Sequence, residues 1–190
     1  TYSLTDDTRL ISGLRYTEDE VTACVKNFFF TTCDNLKNSS DETSGRIALE
    51  IDLNEDTMIY GSFTAGYKPG GTNLTYGFEG DNAPAMVYET FEPETVDSME
   101  FGIKSDFYDG RARANVALFT YDYENLQFQA TDPDVYRGGV ANIPESEMKG
   151  LELELISLIS DSLSFDLRVA YLDTEITSSY EALDNLNADQ

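Results

Sequence analysis

The residues of this chain that invite a chemical reading are a pair of carboxylates, a pair of cysteines and a scatter of further acids. Glu152 and Glu154 stand two residues apart. Paired carboxylates do acid and base work when they face each other across a substrate cleft. Two neighbours on one face of a strand more simply make a polar wall. Cys24 and Cys33 lie in one polar segment. Two thiols are too few for a structural zinc site, and a local disulfide formed in an oxidising compartment suits them better. Asp132 and Asp134, with Glu175, Glu181, Asp184 and Asp189 further on, offer oxygens to calcium. The glycine and closing glutamate of a calcium-binding loop are missing. The chain has no histidine, so a Ser-His-Asp triad, a Cys-His pair and a His-ligated metal are impossible within it. The expectation is a protein without catalytic residues, cofactor or metal, and not an enzyme.

The formal net charge is −24, from 36 acidic and 12 basic residues among 190. Nucleic acid is thereby excluded as a partner, since phosphates require a basic surface. The acids spread along the whole chain, which suits a hydrated surface better than one cation-attracting patch. No apolar run approaches the roughly 20 residues of a membrane helix. The chain starts at Thr1 and ends at Gln190 inside an acidic polar stretch; both ends read as cuts in a longer protein.

What must position these side chains is a set of strands. The dominant period is two, the mark of a strand with one apolar and one polar face. It predicts seven strands, over residues 8–17, 45–53, 57–68, 96–106, 111–123, 147–156 and 162–172. Thus Leu151, Leu153 and Leu155 alternate with Glu152 and Glu154, and Phe165, Leu167 and Val169 with Asp166 and Arg168. The connections alternate in length. Short turns are expected at Asn54-Glu55-Asp56, at 106–110 and at Ser160-Asp161, and long polar loops at about 18–44, 69–93 and 126–145. Such alternation gathers all long loops at one end, as in an outer-membrane barrel. In a barrel the charged face, with Glu100, Lys104, Arg113, Glu152, Glu154, Asp166 and Arg168, lines a hydrated lumen, and the apolar face meets lipid. Tyr16, Tyr67 and Tyr171 near the long loops, and Phe107 and Tyr108 at a short turn, suit aromatic girdles. The alternative is a soluble β-sandwich, an adhesin or glycan-binding module, whose strands bury their apolar face against a second sheet.

Five groups of residues occur in order along nearly the whole chain. They are Gly13-Leu14-Arg15-Tyr16-Thr17-Glu18-Asp19; Thr57-Met58-Ile59-Tyr60-Gly61-Ser62 running into Gly66-Tyr67-Lys68-Pro69-Gly70-Gly71; Phe91-Glu92-Pro93-Glu94-Thr95-Val96 with Glu100, Gly102, Lys104-Ser105, Asp109-Gly110-Arg111, Phe119 and Tyr121-Asp122-Tyr123; Met148-Lys149-Gly150-Leu151-Glu152-Leu153-Glu154; and Ala170-Tyr171-Leu172-Asp173. Together they resemble the barrel region of TonB-dependent outer-membrane receptors, most closely the iron-complex branch. The resemblance implies an all-β antiparallel meander of about seven strands, part of a barrel of about 22 strands. It implies that residues 1–190 are a partial barrel domain and that the plug domain lies outside this chain. It further implies import of ferric siderophores or other bulky, scarce solutes through the bacterial outer membrane. The partners are then outer-membrane lipid, the solute, and TonB through an N-terminal region not contained here. On that reading the long loops gather ligand. Tyr76, Phe78, Tyr88, Phe128 and Tyr136 are suited to stacking, and Arg137 to pairing with anionic groups. Cys24 and Cys33 staple one such loop.

Overall fold

A computed structural model of the chain describes residues 1–26, 33–73, 90–132 and 137–179. Every element is a strand: β1 (Tyr2–Ser3), β2 (Thr8–Lys26), β3 (Cys33–Asn54), β4 (Thr57–Lys68), β5 (Gly71–Thr72), β6 (Thr90–Phe91), β7 (Glu94–Phe107), β8 (Ala112–Asp132), β9 (Arg137–Ser160) and β10 (Leu163–Ile176). Eight form one antiparallel sheet in the order β1-β2-β3-β4-β7-β8-β9-β10, and β5 pairs with β6 separately. Each neighbour in the large sheet is a hairpin partner, so the sheet is a plain meander. The seven expected strands are its seven long members.

Local chemistry explains the tight turns. At one, the Asn54 side chain accepts from Asp56 N at 2.9 Å, an Asx turn that closes the hairpin without glycine. At the next, Tyr108, Asp109 and Gly110 take φ of 56°, 55° and 75°, and Arg111 N donates to Tyr108 O at 3.1 Å. Positive φ is costly for most residues and cheap for Gly110.

The register lines up residue types across the sheet. One row runs Ile51, Ile59, Ile103, Val116, Leu153 and Val169 on six successive strands. The next runs Leu10, Leu49, Gly61, Phe101, Leu118, Leu151 and Tyr171. Interleaved rows on the opposite face hold Arg9, Glu50, Tyr60, Gly102, Ala117, Glu152 and Ala170, and Asp52, Met58, Lys104, Asn115, Glu154 and Arg168. Because side chains alternate between faces, one face is apolar over six strands and the other polar and charged.

Among the described residues nothing covers the apolar face. Ile47, Met99, Phe101 and Leu118 are each at least half exposed. No large side chain among the described residues is fully buried. A sandwich would bury this row under a second sheet, whereas a patch of this extent on a water-soluble surface would drive association. The apolar face ends in carboxylates. Asp97, Asp122, Glu147 and Glu175 stand abreast on β7, β8, β9 and β10, with Lys149 paired to Glu147. Like charges opposite one another are unfavourable, and carboxylates do not belong in hydrocarbon. The row therefore marks where the lipid-facing band stops and water begins.

The expected loops at 18–44 and 126–145 need correction. Strand β2 continues to Lys26 and pairs residue for residue with β3 back to Cys33. Likewise β8 runs to Asp132 and pairs with β9 from Arg137. Phe128 and Arg137, read as loop residues, are thus strand residues. The strands reach 19 to 24 residues, about twice the 9–11 needed to cross a bilayer. Their outer halves stand in water, where backbone pairing still holds them but neither face need be apolar. The alternation that reveals a half-buried strand is consequently absent there.

Candidate functional site: the polar wall and its rim

The polar face is organised by ion pairs. Arg9 forks onto Asp52 (Nη1–Oδ2 2.5 Å, Nη2–Oδ1 2.8 Å) and reaches Glu50 through Nε at 3.1 Å. The two-pronged geometry fixes the guanidinium as well as neutralising the acids. Farther along, Asn115 Nδ2 donates to Glu154 Oε2 at 2.8 Å, and Arg168 Nε lies 3.2 Å from Glu154 Oε1. Arg113 holds Asp106 in the same forked way at 2.6 and 2.8 Å. Tyr60 Oη donates to Glu100 Oε1 at 2.6 Å, and Lys104 Nζ sits 5.3 Å from the Tyr60 ring centre, within cation–π range. Glu154 is thus tied to Asn115 and Arg168, and Glu152 lies beside it on the same face rather than across a cleft. Tyr60, Lys104, Asn115, Glu154 and Arg168 border a shallow open groove of about 500 Å³. Asn115 Oδ1 has no hydrogen-bond partner there.

Two glycines let aromatic rings lie flat on this wall. A Cβ on Gly102 would come within 2.4 Å of the Tyr60 ring, and one on Gly150 within 2.4 Å of Phe119. Phe119 begins an aromatic run with Tyr121 at 5.3 Å, and Tyr123 follows at 6.3 Å from Tyr121. Gly102→Val is expected to lower stability by about 1–3 kcal/mol through overpacking, read as a lower denaturant midpoint of the assembled barrel. Gly61→Val supplies the comparison. Gly61 lies on the apolar face, and the nearest atoms to its added Cβ are 4.0 Å away, so it should cost far less. Equal costs would contradict the stacking role.

At the rim, the described ends of the connection between β4 and β7, residues 69–73 and 90–93, turn back onto the sheet. The connection's stem is the β5–β6 pair. Asn38 Nδ2 donates to Phe91 O at 3.2 Å, and Asn38 belongs to the β3 row that carries Arg46, Glu50 and Asp52, with unbroken pairing to β2 between them. The stem therefore lies on the polar side. Gly70 and Gly71 are required by close approach, since a Cβ would meet Phe91 O or the Phe91 ring at 2.5 Å.

From β3 the stem reaches as far as β9. Asn73, only 4% exposed, donates from Nδ2 to Val140 O at 2.8 Å and accepts from Val140 N through Oδ1 at 2.9 Å. Gln127 Nε2 donates to Pro69 O (2.9 Å) and Glu92 O (3.1 Å). Asn142, opposite Gln127 in the ladder, accepts from Glu92 N at 2.8 Å and donates to Glu92 O (3.0 Å) and Asn125 O (2.7 Å). Sequence reading singled out none of these three amides. Their partners are backbone atoms 17 to 67 residues away, and no spacing rule links them.

Of the residues expected to contact ligand, Tyr76, Phe78, Tyr88 and Tyr136 lie outside the described residues. Phe128 is half-buried on β8 against Ala141. Arg137 opens β9, and its side chain lies outside the description. Cys24 stands on β2 and is not free; Cys33 opens β3 with its side chain outside the description. Of the acids weighed for calcium, Glu175 faces Glu147 on the apolar side's upper edge. Among the described residues no group of three potential metal ligands occurs. The girdle candidates Tyr16 and Tyr171 are exposed. Tyr67 instead joins the rim, its hydroxyl 2.7 Å from Ser40 Oγ and 3.3 Å from Asp19 Oδ2.

Comparison with known proteins agrees with this geometry. The family described as "TonB dependent receptor-like, beta-barrel" matches residues 1–189. The probable TonB-dependent siderophore receptor PiuA of Acinetobacter baumannii is 29% identical over 170 residues, covering 88% of this chain and 22% of that one. The ferric-pyoverdine 358 receptor of Pseudomonas putida is 24% identical to this chain over 157 residues, covering 81% of this chain and 18% of that one. The crystal structure of the siderophore receptor PiuA from Acinetobacter baumannii superposes with a TM-score of 0.70 at 26% identity, covering 96% of this chain and 25% of that one. The chain thus spans no more than about a quarter of the length of these relatives.

Proposed function

Because this chain belongs to the TonB-dependent receptor-like β-barrel family, whose place is the outer membrane of Gram-negative bacteria, we propose that it is part of the wall of an importer of ferric siderophores. One observation carries the reading. An uncovered apolar face and a charged, ion-paired face alternate in register across the whole sheet, as lipid on one side and a hydrated lumen on the other require. The siderophore class is supported by relatives named for siderophore and ferric-pyoverdine reception.

In this proposal residues 1–190 are all barrel wall and rim. The plug, and the segment through which TonB delivers energy from the inner-membrane proton gradient, belong to other parts of the longer protein. The polar wall packs on the plug, and the rim gathers solute. Tyr76, Phe78, Tyr88, Phe128 and Tyr136 are the proposed ligand-stacking residues, with Arg137 proposed to pair with anionic groups. The family is one of receptors and transporters, and the wall residues serve binding and packing rather than bond-making.

Uptake of radiolabelled iron by the host tests the proposal. Cells lacking the parent gene should lose uptake of at least one ferric siderophore, whether hydroxamate, catecholate or mixed chelate. The gene should restore it, and an uncoupler should abolish it. Unchanged uptake of every such complex in the deletion strain would overturn the reading.

We also propose that Cys24 and Cys33 form a disulfide near the tip of the β2–β3 hairpin. Cys24 pairs in register with Asn35, and Cys33 with Lys26. In the backbone ladder the two cysteines thus stand one diagonal step apart. Closing so short a loop is worth about 2–3 kcal/mol by chain entropy. Unreduced peptide mapping of the exported receptor should show a linked pair that separates on reduction. Two alkylated thiols in unreduced material would refute the bond.

A further inference from the structure

We propose that Asn73, Gln127 and Asn142 act as one clasp that fixes the foot of the β4–β7 connection across the inner side of the wall, and are positioning residues for solute capture. The inference rests on the importer reading above and goes beyond it by naming what holds the rim in place. The foot begins at β4 and returns at β7, yet it does not stay over those strands. Its stem packs on the polar row of β3 through Asn38 and Phe91. Its far contacts are on β8 and β9, through Gln127, Asn142 and Val140. In the strand order β3-β4-β7-β8-β9, the foot therefore reaches across five neighbouring strands from the polar face of β3.

The bonding is specific. Backbone groups taken out of water must find partners, and this foot cannot use a ladder because it crosses the strands. Amide side chains replace the ladder. Asn73 satisfies both the N–H and the C=O of Val140 with its own donor and acceptor, as a paired strand residue would. Asn142 does the same for Glu92. Gln127 ties the two ends together, bonding Pro69 O on the outgoing side and Glu92 O on the returning side. Glu94 adds a carboxylate that accepts from Gln127 N at 2.8 Å. Asn73 on the outgoing side and Glu92 on the returning side are thus both fixed to the wall. A merely space-filling foot would need shape, not seven directed bonds to backbone.

The test uses the full-length receptor in detergent, with Asn73→Ala, Asn142→Ala and Asn142→Asp. Backbone amide exchange reads the clasp directly, because Val140 N and Glu92 N donate to these two side chains. In the alanine variants the Val140 and Glu92 amides should exchange about tenfold faster, the scale of one or two lost hydrogen bonds, while amides of residues 150–156 stay unchanged. Asn142→Asp keeps an acceptor for Glu92 N and should restore its protection. Affinity for a panel of ferric probes, including ferric pyoverdine, should fall about fivefold in the alanine variants, with binding capacity unchanged. Unaltered exchange at Val140 and Glu92, acceleration spreading into 150–156, or faster exchange with unaltered affinity would each overturn the proposal. A wild-type receptor that takes none of the probes would overturn the importer reading and the capture role with it, while exchange still decides whether the clasp exists.

Discussion

Leu153→Arg in the intact receptor is expected to remove about 2–4 kcal/mol of barrel stability, whereas Glu152→Arg, one residue away, should cost little. Leu153 sits between Val116 and Val169 in the row that also holds Ile51, Ile59 and Ile103. Its side chain therefore lies mid-band on the apolar face, two residues from Leu151 and Leu155. An arginine there must be desolvated in hydrocarbon or drag its neighbours towards the interface. Glu152 points the other way, between Ala117 and Ala170, beside the open groove. A long cation fits that side among Glu100 and Glu154. The measurement is the amount of heat-resistant, protease-resistant receptor in outer-membrane fractions, with a denaturant midpoint for each variant. Loss confined to Leu153→Arg is the expected result. Equal losses would mean that both faces meet the same surroundings, and the barrel-wall architecture would be wrong.

Deleting residues 74–89 and joining Asn73 to Thr90 through a short glycine linker should abolish or severely reduce solute uptake while the barrel still assembles. The deletion removes Tyr76, Phe78 and Tyr88 together, and with them most of the aromatic surface proposed for stacking on a large chelate. It leaves β4, β7 and the clasp residues intact. Lengthening or shortening a surface connection changes closure entropy only slowly, so stability should change little. Whole-cell uptake of radiolabelled ferric siderophores reads the first effect, and the yield of folded receptor the second. Normal uptake in cells carrying the shortened protein would remove this connection from the capture site. Failure to assemble would show that its role is structural.

The fold was readable wherever lipid imposes a pattern. Within the band one face must be apolar and the other can be polar, so Leu151-Glu152-Leu153-Glu154-Leu155 announces both the strand and its faces. Above the band the same strands continue in water. There Glu20 pairs with Ser39, Val21 with Asn38 and Thr22 with Lys37, and no face carries a consistent character. Backbone pairing persists without a sequence signature, which is why 18–26 and 33–44 read as loop. Phe128 was placed in a loop for the same reason: an aromatic in a polar stretch carries no strand signature, yet it lies on β8 beside Ala141.

The rim was the least legible part. Gly70 and Gly71 stand in a recognisable motif, but the sequence does not show that they admit Phe91 to within touching distance. Nothing about Asn73, Gln127 or Asn142 marks them in sequence as bonding partners of Pro69, Glu92 and Val140. Those meetings depend on the meander, which brings β4, β7, β8 and β9 side by side. The glycines under Tyr60 and Phe119 are an intermediate case. Gly102 and Gly150 could be recognised as motif positions, but the rings that require them sit on neighbouring strands.

Site-directed spin labelling along β9 of the full-length receptor in bilayers tests the central assignment most directly. Labels placed one at a time at residues 150–156 would be scored for collision with oxygen, which concentrates in lipid, and with a water-soluble nickel chelate. The expected profile has a period of two: oxygen accessibility peaks at 151, 153 and 155, where Leu151, Leu153 and Leu155 face lipid, and is low at 150, 152, 154 and 156. A profile without that alternation, or one with its maxima at 152 and 154, would contradict the placement of this chain as the wall of an outer-membrane barrel.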